Sequence, residues 1–369
     1  MFDRKKNILY KMLSFLCVSA LFRLSQRGKI TIFMYHGICE KEQVPFCWWQ
    51  LPVDKFRKQL DYVAKHYRVV SLEEAMQRLR AKDQRQETIE HRLLTKRSLV
   101  SGLKSLVCRG KPLAVLTFDD GYRNNRTVAY PELKKRNMPA TIFLVTDYVG
   151  KRELLWYDRL YLAFKHMDKG ELDLQQYGGM KYVWDKERPL DDVAHEVGNW
   201  VKQFNKEKKD EIVDSVIRQL GVDDSRSAVH NSGEFEMLNW DEIRILHDEG
   251  LVTFGAHTCS HEILSRLSRE RKQGQIEGSC RAITDKLAVE RVPFAYPNGR
   301  NSDFDEESII ILKSIDVMCA LTTESGLNEY PADLYRLKRI GIGADMTISR
   351  FELLSSGFLE YIERFARRN

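Results

Sequence analysis

The chain has 369 residues, of which 43% are hydrophobic and 30% are charged. This composition excludes a wholly disordered chain and leaves enough apolar side chains for a folded core. The net charge of +6 is small for this length. It is compatible with an anionic membrane surface and gives no indication of nucleic-acid binding.

The seven cysteines lie far apart and form no Cys-x-x-Cys pair. Their odd number and wide spacing argue against a zinc ribbon, a redox dithiol and a disulfide framework. A chain of this length does not need disulfides to stabilise its core. We therefore expect reduced, mostly buried thiols and a reducing compartment.

Residues 1–28 predict an N-terminal amphipathic helix. Apolar residues recur at helical spacing over residues 8–22, directly after three basic residues. Lys11 interrupts the apolar run and Arg23 ends it, so the run is shorter than the ~20 residues of a spanning helix. No convincing signal-peptidase site follows Ala20. Two interpretations stay open, a peripheral membrane contact through residues 8–22 or a helix packed on the domain, and a cytoplasmic or membrane-associated protein is favoured.

Residues 29–369 alternate predicted strands and helices and are expected to form one domain. Short apolar runs predict eight strands, at 30–35, 68–70, 113–118, 140–145, 251–256, 292–296, 318–322 and 337–342. Apolar stripes at helical spacing lie between them, for example over residues 53–63 and 309–315. This alternation predicts an α/β protein with a parallel sheet. Some eight strands in one run favour a distorted (β/α) barrel of about seven or eight strands.

Two segments interrupt the alternation. Residues 81–111 are polar and basic without a strong period, which predicts an inserted surface loop or loose helix. Residues 151–240 begin with Trp156-Tyr157-Asp158-Arg159-Leu160 and later contain an apolar helical stripe from Ile212 to Leu220. We interpret them as a helical insertion that covers one end of the barrel.

The run Leu116-Thr117-Phe118-Asp119-Asp120-Gly121 ends a predicted strand with two adjacent carboxylates. Neighbouring side chains on a strand point to opposite faces, so the two acids take different roles only where the strand breaks. Gly121 provides that break. The carboxyl ends of parallel strands are where α/β barrels build active sites. A pair of helix-capping aspartates is the alternative for this run alone.

A second run, Gly255-Ala256-His257-Thr258-Cys259-Ser260-His261, also follows an apolar strand. The spacing of four places both imidazoles on one face if a helical turn begins there. Two histidines and one carboxylate suit a divalent metal site with open positions, zinc first among the first-row metals. In a third run, Tyr296, Pro297 and Asn298 end a strand in a turn whose backbone N–H groups are candidates to face a substrate oxygen.

Together these runs resemble the polysaccharide deacetylase family (carbohydrate esterase family 4). That family has a Thr-Phe-Asp-Asp-Gly motif, a His-(Ser/Thr)-x-x-His motif and a proline-centred turn. The segment Tyr35-His36-Gly37-Ile38 is similar to a subgroup with an N-terminal Tyr-His-x-Ile segment. The resemblance covers about two-thirds of the chain and leaves out 1–28, 81–111 and most of 160–232.

The resemblance implies roles for particular residues. Asp120, His257 and His261 would bind the metal, and Asp119 would be the general base. The metal would lower the pKa of a water and stabilise the oxyanion, helped by the backbone near Asn298.

The chain departs from the family pattern at two places. Ala295 stands where most members have the arginine that orients the base, and no histidine follows His261 to act as the general acid. We expect Arg339 to replace the arginine and His36 to replace the acid.

The resemblance implies a metal-dependent hydrolase that removes an N-acetyl or other acyl group from an amino sugar of a polysaccharide or glycolipid. Such an enzyme acts on an amide bond that is not a peptide bond, and its partner is an acetylated carbohydrate. An O-acetyl sugar esterase is a close alternative because the same site hydrolyses esters. The alternative of another class is a non-catalytic glycan-binding or scaffold protein on the same fold.

Overall fold

The computed structural model describes residues 10–13, 18–26, 28–43, 47–80, 111–165, 167, 169–185, 188–222, 233 and 235–366. The predicted insertion at 81–111 lies, except for residue 111, outside the described residues. The same holds for residues 8–9 and 14–17 of the predicted N-terminal helix.

The strands fall close to the eight predicted apolar runs, and several are shorter than expected. They are β1 (Ile30–Tyr35), β2 (Gly37–Cys39), β3 (Gln50–Pro52), β4 (Arg68–Val69), β5 (Leu113–Phe118), β6 (Ala140–Leu144), β7 (Gly170–Asp173), β8 (Lys181–Trp184), β9 (Val252–Ala256), β10 (Phe294–Ala295), β11 (Ala320–Leu321) and β12 (Ile340–Gly341). Sequence analysis did not predict β2, β3, β7 or β8.

Helices occur at the apolar stripes predicted over residues 53–63, 212–220 and 309–315, and several further helices are present. They are α1 (Val18–Ser25), α2 (Val53–His66), α3 (Tyr130–Lys135), α4 (Trp156–Phe164), α5 (Leu190–Val201), α6 (Lys206–Gln219), α7 (Trp240–Asp248), α8 (Arg269–Leu287), α9 (Glu306–Ser314), α10 (Ile348–Ser355) and α11 (Phe358–Ala366). Residues 72–80 are also helical. Polar side chains cap several of these helices, such as Asn239 at the start of α7.

The main sheet is parallel, in the order β11-β10-β9-β6-β5-β1-β12, with β4 added on β5. Its two ends meet because Leu321 forms a parallel bridge with Leu337, three residues before β12. The prediction of a distorted (β/α) barrel is therefore confirmed. β2 and β3 form a small separate sheet directly after β1.

Alternate strand residues face two different cores. One set packs against the surrounding helices and includes Phe33, Tyr35 and Phe118. The other set faces the barrel interior, and its strand members include Ile32, Val115, Phe143, Ala295, Leu321 and Leu337. Gly255 lies against this interior set, because a Cβ there would come within 2.6 Å of the Phe143 ring.

The segment 151–240 was predicted to be a helical insertion, but it also contains two strands. The antiparallel hairpin β7–β8 stands beside α4, α5 and α6, and these elements share a core of their own. A further apolar cluster joins the segment to the barrel, with Leu155 and Tyr161 packed near Tyr122 and Val145. The hairpin was missed because its strands have only four residues each, too few for a period of two to be recognised.

Candidate active site

The pleat of the strands explains why four of the predicted residues point into the barrel. Each of them lies two or four residues after a residue that faces the barrel interior, and side chains two residues apart on a strand point to the same side. The four are His36, Asp119, His257 and Arg339. The sequence therefore brings side chains from four separate strands toward one end of the barrel interior.

Asp119 and Arg339 form a buried ion pair in this interior. The two terminal guanidinium nitrogens of Arg339 donate to the two carboxylate oxygens of Asp119 at 2.7 and 2.8 Å. Arg339 is fully buried, and its Nε donates to the carbonyl of Thr322 at 2.8 Å. Burial alone would raise the pKa of Asp119, but the guanidinium outweighs it and holds that pKa at about 2. Asp119 is therefore ionised at neutral pH and fixed in one orientation.

Asp120 and His261 reach the same space through left-handed backbone conformations. Asp120 has φ of 75° and Gly121 has φ of 85°, so the strand breaks at the second acid. Thr258 and His261 have φ of 63° and 58°. The helical turn expected between the two histidines is therefore absent from this segment, and a strained turn places them instead. Such strain in non-glycine residues is typical of functional sites.

Asp120, His257 and His261 form a compact triangle. One donor atom from each lies within 4.8 Å of the others. The Nε2 atoms of His257 and His261 are 3.7 and 3.6 Å from Oδ1 of Asp120. Nδ1 of His257 lies 2.7 Å from the carbonyl oxygen of Ala295. Only a protonated Nδ1 can donate to a carbonyl, so the lone pair of Nε2 points toward the triangle.

The triangle fits a divalent cation. The hydroxyls of Tyr122 and Tyr157 lie near Asp120 and act to lower its pKa, but neither buried oxygen of Asp120 accepts a hydrogen bond of normal geometry. Such burial is costly for a carboxylate unless a cation or proton lies beside it. Burial and the neighbouring charge of Asp119 raise the pKa of Asp120 to about 8. Burial lowers the pKa of His257 and of His261, which keeps both rings neutral as ligands must be. One acid and two neutral imidazoles form a donor set that zinc and similar metals accept.

His36 lies between β1 and β2 and is partly exposed. Burial lowers its pKa to about 4, against the opposing charge of Asp119. Its buried Nδ1 has no hydrogen-bond partner. The ring packs edge-on against Trp48 at 5.2 Å, and Trp48 is 47% exposed. The acidic and imidazole side chains deeper in the site are nearly inaccessible, so His36 and Trp48 are more exposed than the rest of this cluster.

The turn after β10 uses Tyr296 within the fold. Its backbone N–H donates to Leu321, and its hydroxyl donates to the carbonyl of Tyr335 at 3.0 Å. Its ring stacks on Phe304 at 3.9 Å. Asn298 has φ of 57° and is partly exposed, directly after the buried Pro297. Of the three residues predicted to face a substrate oxygen, only Asn298 is partly exposed.

Sequence analysis did not single out Asp158 as a site residue. This fully buried acid in α4 accepts hydrogen bonds from Nε1 of Trp49 at 2.8 Å and from the hydroxyl of Tyr122 at 3.0 Å. Burial, and then the charge of Asp120, raise its pKa well above the usual range. Asp158 thereby links Trp49, which is next to Trp48, to Tyr122, which follows Gly121. The only sequence signal was an acid inside an aromatic run.

The family model for polysaccharide deacetylases matches residues 107–319. YxkH of Bacillus subtilis (strain 168), whose name places it among polysaccharide deacetylases, is 40% identical over 52 residues. That stretch is 14% of this chain and only 19% of the relative.

Two solved structures have a similar fold. The Streptococcus pyogenes deacetylase PplD, in complex with acetate, has a TM-score of 0.52 at 18% identity, over 87% of this chain and 96% of that one. IcaB from Ammonifex degensii has a TM-score of 0.53 at 16% identity, over 90% of this chain and 97% of that one. At these identities the likeness concerns the fold alone.

The family match spans more than half of the chain. The fold is a (β/α) barrel, and the family model matches the part of it from β5 to the start of β11. The chain belongs to the polysaccharide deacetylase family.

Proposed function

We propose that this protein is a metal-dependent deacetylase that removes an N-acetyl group from an amino sugar of a polysaccharide or glycolipid. The observation that supports it best is the buried triangle of Asp120, His257 and His261 beside the Asp119–Arg339 pair. Both oxygens of Asp120 lack a hydrogen bond of normal geometry, which favours a cation at this position over a purely structural role.

The proposed metal is held by Asp120, His257 and His261, with zinc as the first candidate. A bound divalent cation lowers the pKa of water toward ~7 and polarises the acyl carbonyl. The carbonyl of Ala295 orients His257 by accepting its Nδ1 proton at 2.7 Å.

Asp119 is the proposed general base. It takes a proton from the attacking water while Arg339 holds both of its oxygens. With its pKa at about 2, it stays ionised but is a weak base by itself. The water must therefore be acidified before Asp119 accepts its proton, which fits a metal site next to this carboxylate.

His36 is the proposed general acid. An amine leaves an amide only when it is protonated as the carbon–nitrogen bond breaks. Because its pKa is about 4, His36 is mostly neutral in the free site at pH 7. It would therefore pass on a proton that the reaction releases inside the site. The exposed ring of Trp48 beside it gives a sugar a way to approach it.

The direct test is hydrolysis by the metal-loaded full chain of N-acetylglucosamine oligosaccharides and of p-nitrophenyl acetate. We expect both activities to be lost with a chelator and restored by zinc. Asp119→Asn keeps the shape of the side chain and should lower turnover by roughly 10²–10⁴-fold while metal content is unchanged. Asp61→Asn, an exposed acid paired with Arg136, is the matched control.

The outcomes separate the candidate functions. Hydrolysis of acetyl esters without any release of amine would favour the O-acetyl esterase. Bound metal without either activity would favour a glycan-binding or scaffold protein. Activity that survives complete removal of metal would refute the metal-dependent mechanism.

A further inference from the structure

The positive charge of this protein is concentrated at one end of the sequence. Residues 1–29 contain seven lysines and arginines and a single acid, Asp3. Their net charge equals the net charge of the whole chain, so residues 30–369 are neutral in sum. The end of the sequence adds Arg364, Arg367 and Arg368. Such a concentration of positive charge attracts an anionic surface.

Large exposed apolar side chains gather in the same two terminal segments. Met12, Tyr361, Ile362 and Phe365 are 58, 54, 45 and 59% exposed. The last three belong to α11, where positions 361, 362 and 365 lie on one side of the helix. Contiguous apolar side chains of this size are unusual on the surface of a soluble domain and mark an interaction site.

α1 and α11 are packed against each other. The ring of Phe22 lies 4.9 Å from Phe358 and 5.3 Å from Tyr361. Glu360, one of two acids in α11, turns inward, where it accepts a hydrogen bond from the backbone of Leu327. The exposed side of α11 therefore carries apolar side chains, and α11 packs on α1, which belongs to the basic N-terminal stretch of the sequence.

Both helices lie at the amino ends of the strands. α1 leads into Ile30, the first residue of β1, and Ile30 pairs with Asn328, next to Leu327 beneath α11. The catalytic side chains follow the carboxyl ends of β1 and β5. A six-residue strand is about 20 Å long at ~3.3 Å per residue, so the two features lie at opposite ends of the barrel.

We propose that α1 and α11 together form a surface that binds an anionic lipid membrane, with the α11 residues Tyr361, Ile362 and Phe365 inserted at the interface. Within the described residues no helix is long and apolar enough to cross a bilayer, so the contact is peripheral. This proposal adds the C-terminal helix to the predicted contact through residues 8–22 and does not rest on the proposed deacetylase activity. The active site would face away from the bilayer.

The test is co-sedimentation of the full chain with vesicles of phosphatidylcholine, with and without phosphatidylglycerol. We expect binding to the anionic vesicles that weakens as salt rises from about 0.1 to 1 M. Ile362→Ser/Phe365→Ser should lower the partition coefficient at least tenfold. Ile245→Ser/Ile310→Ser removes two similarly exposed side chains from other helices and is the matched control.

Equal losses in both double variants, or no binding by the unmodified chain, would overturn the proposal. A dimer in lipid-free solution that Ile362→Ser/Phe365→Ser converts to a monomer would also overturn it, because the surface would then join two copies of this chain. Hydrolysis of p-nitrophenyl acetate by the variants is measured in parallel. Its retention separates a failure of membrane binding from a failure of the catalytic proposal.

If the double variant does not fold, Phe365→Trp replaces it. Quenching of the new indole by brominated lipids should exceed that of an indole placed at Ile310. Equal quenching at both positions would refute insertion of α11.

Discussion

Replacing Arg339 with Met tests how the barrel interior holds the proposed base. Met has a similar length but lacks charge, so Asp119 would be left buried without its cation. Removing one partner of a buried pair costs about 3–5 kcal/mol because the remaining charge is not compensated. We therefore expect Arg339→Met to be among the more destabilising single substitutions in this chain.

The pKa of Asp119 gives a second measure of the pair. It falls from 3.8 to about 2 on folding, which corresponds to roughly 2–3 kcal/mol of stability at neutral pH. Because the pKa of the folded state is lowered, this contribution is present above pH 4 and is lost as pH falls toward 2. Without Arg339, burial would raise the pKa instead. The difference in unfolding free energy between the unmodified chain and Arg339→Met should be largest at pH 7 and should shrink in acid.

The assay is urea unfolding at several pH values of the unmodified chain, Arg339→Met, Asp119→Asn and the double variant. The double variant should be more stable than the sum of the two single losses predicts, by at least about 2 kcal/mol. Lys272→Met is the matched control, since Lys272 is also buried in ion pairs but with Asp305 and Glu307, outside the site. It should lower stability and leave turnover unchanged, whereas Arg339→Met should lower turnover about 10²-fold or more.

Strictly additive losses in this cycle would refute the reasoning, since they would mean that the two side chains do not depend on each other. Unchanged turnover in a folded Arg339→Met protein would show that the orientation of Asp119 does not matter for catalysis.

Three further predictions concern the metal, the acid and the sugar. His257→Ala should lose most of its bound zinc by elemental analysis, while a change at an exposed histidine, His195→Ala, should leave the zinc content unchanged. Zinc should also raise the Tm of the unmodified chain more at pH 8 than at pH 5. The reason is that the pKa of Asp120 is raised, so a proton competes with the metal for this carboxylate in acid. His36→Ala should slow release of the amine roughly 10²–10⁴-fold but affect p-nitrophenyl acetate much less, and equal losses on both substrates would contradict an acid role. Trp48→Ala should raise the KM for N-acetylglucosamine oligosaccharides with little change in kcat or in metal content, and an unchanged KM would remove Trp48 from the sugar site.

The sequence was sufficient to predict the eight strands of the main sheet and the residues at their carboxyl ends. Long apolar runs such as Leu113–Phe118 can be buried on both sides only in a covered parallel sheet. The period of two then assigns Asp119 to the barrel interior. The hairpin β7–β8 escaped prediction because strands of four residues are too short for their periodicity to be recognised.

The sequence by itself also determined which side chains were available for chemistry, since Asp119, Asp120, His257 and His261 lie in short motifs with mechanistic meaning. It did not determine which distant groups would meet them. Arg339 lies 220 residues from Asp119 and pairs with it because β12 and β5 both pair with β1, on its two sides. The left-handed conformations of Asp120 and His261 likewise depend on the surrounding packing, which alone can hold a non-glycine residue in a strained backbone conformation.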